Sequence, residues 1–124
     1  MSGNAMVSDL AQQVFARVDT KDAAGFAALF EPEGRCTFGN YDVLAGPEQI
    51  EAAAASFLAS IAAISHSIRH EWVIGDDTIV EAQVAYTRLD GKAVTVPVVS
   101  IWRTGADGMI EDYRVFYDLT PVFA

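Results

Sequence analysis

The sequence predicts an α+β fold, with helices first and a strand meander second. Two observations lead there. Up to about Ile64 the apolar residues recur at helical spacing, and from His66 to the end they alternate as strands do. Three turn signals, Gly75-Asp76-Asp77, Asp90-Gly91 and Gly105-Ala106-Asp107-Gly108, then cut the second half into segments of strand length. Helices followed by strands pack as one curved sheet wrapped around its own helices, an arrangement that tends to enclose a pocket. His66 and His70, the chain's two histidines, sit where the period changes.

The elements follow in order. Val7, Leu10, Ala11, Val14, Phe15 and Val18 form one stripe of a first helix. Asp19 to Asp22 is a polar break, and Asp22 can cap a second, shorter helix. Phe26, Leu29 and Phe30 are that helix's buried side, and Pro32 with Gly34 closes it. Arg35 to Phe38 has the length of a short strand, and Gly39 to Ala45 reads as an irregular loop or short hairpin. Gly46-Pro47 opens a third helix, since proline at the first helical position gives up an N–H that has no partner anyway. Glu48 and Glu51 suit the positive end of its dipole, while Ile50, Ala54, Phe57, Leu58 and Ile61 form its buried stripe. His66–Ile74, Thr78–Leu89, Ala93–Arg103 and Met109–Asp118 then pair as an antiparallel meander. Pro97 withholds a ladder hydrogen bond, so it belongs at an edge or a bulge.

At 124 residues, 52% of them hydrophobic and 20% charged, the chain makes a single domain over 1–124 with its own core. Its formal net charge of -9 and eight scattered Lys and Arg residues provide no basic surface for nucleic acid. Cys36 is the sole cysteine, so neither a disulfide framework nor a cysteine metal site is expected, and a reducing, cytoplasmic setting is. No apolar run approaches the roughly 20 residues of a membrane span. Met1–Ala5 lacks the basic region and apolar core of a secretory leader.

The order and spacing of these elements resemble the NTF2-like superfamily, and within it the SnoaL-like branch. Leu44-Ala45-Gly46-Pro47-Glu48-Gln49-Ile50 is similar to its loop-into-helix segment, and Asp112-Tyr113-Arg114-Val115-Phe116-Tyr117-Asp118 to its last strand. The resemblance implies a cone of three N-terminal helices packed in a curved antiparallel sheet, with a deep pocket on the concave face. It also implies frequent dimerisation through the outer face. Members include ketosteroid isomerases, limonene-epoxide hydrolases, polyketide cyclases, dehydratases and non-enzymes. The hydrolases' Arg and two Asp positions hold Gln83, Ala85 and Val115 here, and their water-positioning Tyr and Asn correspond to Phe38 and Asn40. The isomerases' Tyr and two Asp fall near Val14 or Phe15, Thr37 or Phe38, and Val98, none of which does that chemistry. The resemblance therefore implies the scaffold without either catalytic set.

Strand alternation sorts the remaining candidates. His66, Ile68, His70, Trp72 and Ile74 share one face, and its apolar character directs it inward. His66 can then serve as a general acid or base near neutral pH, oriented by a carboxylate, or it can be a core histidine bonded to a backbone carbonyl. A histidine at this strand's start also resembles the pocket histidine of some dehydratases in the superfamily. His66 and His70 are about 13 Å apart along a strand, too far to share one metal, so no metal and no cofactor is expected. Asp118 is the candidate carboxylate, to orient His66 or act as a base, or else a strand-end group bonding backbone N–H groups or pairing with Arg103 or Arg114.

By the resemblance Trp102, Tyr113 and Tyr117 also face inside. With Trp72 and His70 they can line an aromatic pocket for a small apolar molecule, cyclic or open-chain, or be ordinary core. Phe38 and Asn40, with Tyr41, would lie at its mouth, although a turn role fits Asn40 as well. Val80, Ala82, Val84 and Tyr86, with Thr95, Pro97, Val99 and Ile101, read as an apolar outer face that a homodimer would cover. Two functions stand against each other: a cofactor-free acid–base isomerase, cyclase, dehydratase or hydrolase, and a non-catalytic ligand-binding or dimeric interaction module.

Overall fold

A computed structural model describes residues 8–124, so the expectations for Met1–Ala5 and Val7 lie outside it. Helix α1 spans Asp9–Asp19 and α2 Ala23–Ala27; strand β1 spans Phe30–Phe38 and β2 Leu44–Ala45; α3 spans Pro47–Ala59. Strands β3 (Ala63–Ile74), β4 (Asp77–Thr87), β5 (Ala93–Thr104) and β6 (Ile110–Phe116) follow, and α4 (Thr120–Phe123) ends the chain. The six strands form one sheet in the order β2-β1-β6-β5-β4-β3. No described helix is long and apolar enough to cross a membrane.

The meander of β3 to β6 is as expected, antiparallel throughout and joined by tight turns. Gly91, at φ 90°, takes the left-handed backbone that the β4–β5 turn requires. Pro97 faces Gln83 on β4 but lies beyond Val99, where pairing with β6 stops, so its missing N–H falls where β5 has lost a neighbour.

The helical half departs from expectation. Only α1 and α2 precede the sheet, α3 follows two strands, and α2 is five residues long. Pro32 does not close a helix but lies inside β1, which begins at Phe30 and pairs parallel with β6. The irregular register between Phe30 and Arg35 accommodates Pro32 and Gly34. The helical spacing of Phe26, Leu29 and Phe30 mimics a longer helix because Phe26 and Phe30 both turn to one core, their rings 5.2 Å apart edge to face.

Helix α1 is fixed at both ends. Ser8 caps it by accepting from Ala11 N–H at 3.2 Å, and Ser8 itself gives its N–H and hydroxyl to Glu71 at 2.7 and 2.6 Å. Ala11, Val14 and Phe15 are its buried side. On the sheet, Val80, Ala82, Val84 and Tyr86 are all buried and face Val96 and Val98 across the β4–β5 pairing. This corrects the expected outer apolar face. The helices cover these residues, and the outer surface alternates instead through Ile79, Glu81, Gln83 and Ala85 beside Thr95, Pro97, Val99 and Ile101.

Candidate active site

Strand β3 carries Ile64 and His66 inward, opposite Tyr86 and Val84 on β4. Between Ile68 and His70 the pairing slips by one residue at Arg69. An extra residue in one strand reverses which side chains face the core. His70 therefore pairs with Glu81, and Trp72 with Ile79, on the outer face, while Glu71 turns inward opposite the buried Val80. The expectation that His70 and Trp72 line the pocket is corrected accordingly. Their rings stack on each other 5.3 Å apart, the His70 side chain is 64% exposed, and Trp72 is 46% exposed.

His66 is held on three sides. Its Nδ1 lies 2.6 Å from Asp19 Oδ1, and its backbone N–H donates to Asp19 Oδ2 at 3.0 Å. Phe15 stacks on the ring, with centroids 4.5 Å apart and an interplanar angle of 28°. The histidine side chain is 8% exposed and that of Asp19 28%, so the pair is shielded from bulk water on the imidazole side. Both carboxylate oxygens thus serve one residue, one setting the strand and the other the ring. With Asp19 ionised, Nδ1 carries the proton and Nε2 of the neutral ring keeps its lone pair. Among the described residues no protein group bonds Nε2.

His66 lines a cavity of about 60 Å³ between the helices and the concave face of the sheet. Its other polar walls are Ser100, Tyr86, Tyr113 and Tyr117; the rest, Phe26, Phe38, Phe57, Val98 and Val115 among them, is apolar. Burial pushes the phenols of Tyr86 and Tyr113 well above the ordinary tyrosine value and that of Tyr117 up to about 12. All three are therefore neutral hydroxyl donors at physiological pH. Tyr113 donates to Ser100 Oγ over a long 3.4 Å. Burial likewise pushes up the Cys36 thiol, which leaves it a poor nucleophile.

Trp102 is core rather than lining. It is 1% exposed, lies parallel to Tyr113 at 5.6 Å and meets Phe15 edge-on at 5.9 Å. Beyond the inner chamber a groove of about 610 Å³ is walled by Tyr41, Asp42, Leu44, Ser56 and Phe123. Phe38, Phe57 and Tyr117 belong to both spaces and stand between them. Gly39, at φ 56°, leaves room for the Tyr117 ring, because a Cβ there would come 2.7 Å from Tyr117 Cε1. Asn40 and Asp118 line an adjoining recess of about 460 Å³ with Tyr41 and Thr120.

Asp118 is exposed and does not supply the histidine's carboxylate. Its Oδ1 accepts the Thr120 N–H at 3.0 Å, and bonds from the hydroxyl and N–H of Thr120 hold its carboxyl below the usual range. The residues brought to His66 that sequence reasoning missed are Asp19, Phe15 and Tyr86. Asp19 carries one legible signal: it is the last residue of a helix, where the negative end of the dipole disfavours a carboxylate.

Solved structures share this architecture. A protein from Catenulispora acidiphila, described as having a ketosteroid isomerase-like fold in complex with trimethylamine, matches with TM-score 0.85 at 20% identity, over 94% of this chain and 90% of that one. An NTF2-like protein of unknown function from Burkholderia pseudomallei matches over 100% of both chains at 18% identity and TM-score 0.78. SalBIII, an epoxide hydrolase/cyclase-like enzyme in pyran ring formation in the polyether salinomycin, matches at 17% identity and TM-score 0.78, over 97% and 96%. At these identities the likeness is one of fold. No protein of curated function matches the sequence. Residues 11–113 match the family model of the SnoaL-like domain, and the chain belongs to that family within the NTF2-like superfamily.

Proposed function

We propose that Asp19 and His66 form the acid–base centre of a cofactor-free reaction on a small, uncharged organic molecule bearing a carbonyl or hydroxyl group. The observation that carries this reading is the 2.6 Å bond from Asp19 to His66 Nδ1, which leaves Nε2 as the working nitrogen of a residue lining the cavity. In the step the geometry supports, Nε2 takes a proton from carbon next to a carbonyl. The electron pair moves to the carbonyl oxygen, where a neutral phenol or Ser100 donates a hydrogen bond to it. Asp19 balances the imidazolium, which returns the proton to another carbon in an isomerisation, to the alkoxide left when the enolate carbon attacks a second carbonyl in a cyclisation, or to a hydroxyl that departs as water in a dehydration. No Lys or Arg lines the chamber, the groove or the recess, and Asp42 and Asp118 stand in the outer two, so anionic substrates are disfavoured.

Proton abstraction can be tested before the substrate is known. A neutral bicyclic ketone such as 2-tetralone, incubated with the protein in D₂O, should gain deuterium next to its carbonyl faster than in buffer. His66→Gln should remove about 10²- to 10⁴-fold of the enhancement, and Asp19→Asn should remove much of it. Equal exchange in the parent and both variants would sink the proposal.

A second reading is a non-catalytic binding module. The size of the inner chamber favours it, since about 60 Å³ is well below the roughly 300–1,000 Å³ of small-molecule pockets. A ligand would then rest in the outer groove without contacting His66, and titrating 2-tetralone would shift Phe57 and Tyr41 signals but leave the His66 ring unmoved. We also propose a homodimer through the outer face of the sheet, supported by Trp72 at 46% and Phe116 at 49% exposure. Sedimentation should give twice the monomer mass at micromolar concentration, and a monomer there would end this part of the reading.

A further inference from the structure

Lys21 is the one non-glycine residue with positive φ among the described residues, at 59°. It stands in the turn that ends α1. Asp22 N–H donates to Arg17 O at 2.8 Å and Lys21 N–H to Val18 O at 2.9 Å, the bond pair of a Schellman motif. The left-handed position in that motif is one where glycine is unstrained and a residue with a Cβ is not. The lysine side chain leaves the turn, and Nζ donates to the carbonyl of Ile61 at 2.9 Å. Ile61 is 1% exposed and lies between the end of α3 and the start of β3.

The turn after α1 therefore grips the beginning of β3 twice. Asp19 takes the N–H and ring of His66, and two residues later Lys21 takes a carbonyl just upstream on the same stretch of chain. We propose that Lys21 is a positioning residue for the Asp19–His66 pair, fixing the end of α1 against the α3–β3 junction so that the carboxylate meets Nδ1. The inference rests on that pair being the acid–base centre.

Three physical points support it. A carboxylate on a helix's last turn keeps two side-chain torsions, and its two bonds to His66, both made by that one side chain, are a single point of attachment about which the helix end can pivot. A second contact removes that freedom, and a working pair needs alignment within about 0.5 Å and 10–20°. The residues that best tolerate the left-handed turn, glycine and asparagine, cannot reach Ile61, whereas the four-carbon stem of lysine does. Finally, a cation here offsets the negative helix end that Asp19 must occupy. Retaining strain in a turn that glycine would relax is the expected mark of a residue kept for its side chain.

Histidine-selective ¹⁵N NMR on the full chain tests this. The parent should show a far-downfield, slowly exchanging Nδ1–H for His66 that Asp19→Asn removes. Lys21→Met keeps the strained turn and loses the donor, Lys21→Gly relaxes the turn and loses the donor, and Lys21→Arg keeps a donor. The Met and Gly variants should each exchange the Nδ1 proton at least tenfold faster and lose about tenfold of the 2-tetralone exchange, with Arg restoring both. Lys21→Gly should melt no lower than Lys21→Met, separating the effect from stability. An unchanged Nδ1–H in Met and Gly overturns the role of Lys21 while leaving the pair intact. A signal lost in Met but kept in Gly overturns it in favour of a purely structural residue. If Asp19→Asn leaves the parent His66 signal unaltered, the pair itself falls and the proposal with it.

Discussion

The two histidines lie four residues apart on one strand, and they could hardly differ more. His66 is packed on Phe15, bonded through ring and backbone to Asp19, and borders the inner cavity. His70 is 64% exposed, stacked on Trp72 and 4.0 Å from Glu81. One residue separates these outcomes. Four steps along a regular strand would return the second ring to the face of the first; the slip at Arg69 reverses it. Chemical capacity here belongs to the environment rather than the residue type. A histidine becomes an acid–base candidate when a second element brings it a carboxylate and covers its ring, as α1 does here with Asp19 and Phe15.

The largest effect that can break this comparison is on proton transfer. His66→Gln should cost about 10²- to 10⁴-fold of the ketone exchange, and His70→Gln, with no contact to the cavity, should change it less than twofold. Comparable losses from both would mean that β3 matters only as a wall. Similar melting temperatures for the two variants would exclude a trivial loss of fold.

This contrast also marks how far the sequence could be read. The change of period at Ile64–His66, the Gly-rich turns and Gly46-Pro47 are local signals, and they gave the start of α3 and the four strands of the meander with ends within three residues. His66 was legible as inward because it lies two residues from Ile64, on the regular side of the bulge. His70 and Trp72 were not, because alternation holds only while pairing is regular and nothing in Ile68-Arg69-His70 announces the slip. Inverting the faces of β4 had a similar cause: Ile79, Ala85, Val99 and Ile101 leave the outside apolar enough to resemble a core. Asp19 stood out only as a carboxylate at a helix end, and its partner was hidden for a different reason. Asp19 meets His66 across 47 residues of chain, a tertiary contact that no local pattern encodes. Asp118, near in sequence to the pocket aromatics, was the tempting carboxylate, and it spends itself on Thr120.

A middle-sized effect sharpens what the bulge does. By turning Glu71 inward, the slip lets its carboxylate take the N–H and hydroxyl of Ser8, the cap of the helix that carries Phe15 and Asp19. The same irregularity that expels His70 thus anchors the partner of His66. Glu71→Gln keeps the shape but offers one oxygen for two donors, and it should lower stability by about 1–2 kcal/mol in urea unfolding. It should also loosen the start of α1, measurable as faster amide exchange at Ala11 and Gln12. Full retention of both would show that the cap stands without the strand.

The smallest effect lies on the outer face, where a better-formed ion pair should matter less than the inner one. Arg103 grips Asp77 with two bonds, at 3.0 Å from Nε and 2.9 Å from Nη2, across the β4–β5 pairing. Both side chains are about half in water, where solvent and salt screen the attraction. The hydrogen bonds from Arg103 hold the Asp77 carboxyl below its ordinary value of 3.8. A depressed folded-state value means that the stabilisation is complete above the unfolded value and is lost as pH falls through the folded one. Asp77→Asn should therefore shift the urea midpoint slightly at neutral pH, and its difference from the parent should shrink as pH falls below 3.8 and in high salt. Ketone exchange should stay at the parent level throughout, because nothing on this face reaches the cavity. If Asp77→Asn changed exchange as strongly as Asp19→Asn, the division into a chemical inside and a structural outside would fail. Geometry alone would then be a poor guide to which carboxylate works, since the outer pair has the better-formed bonds and the inner pair has the dry ring.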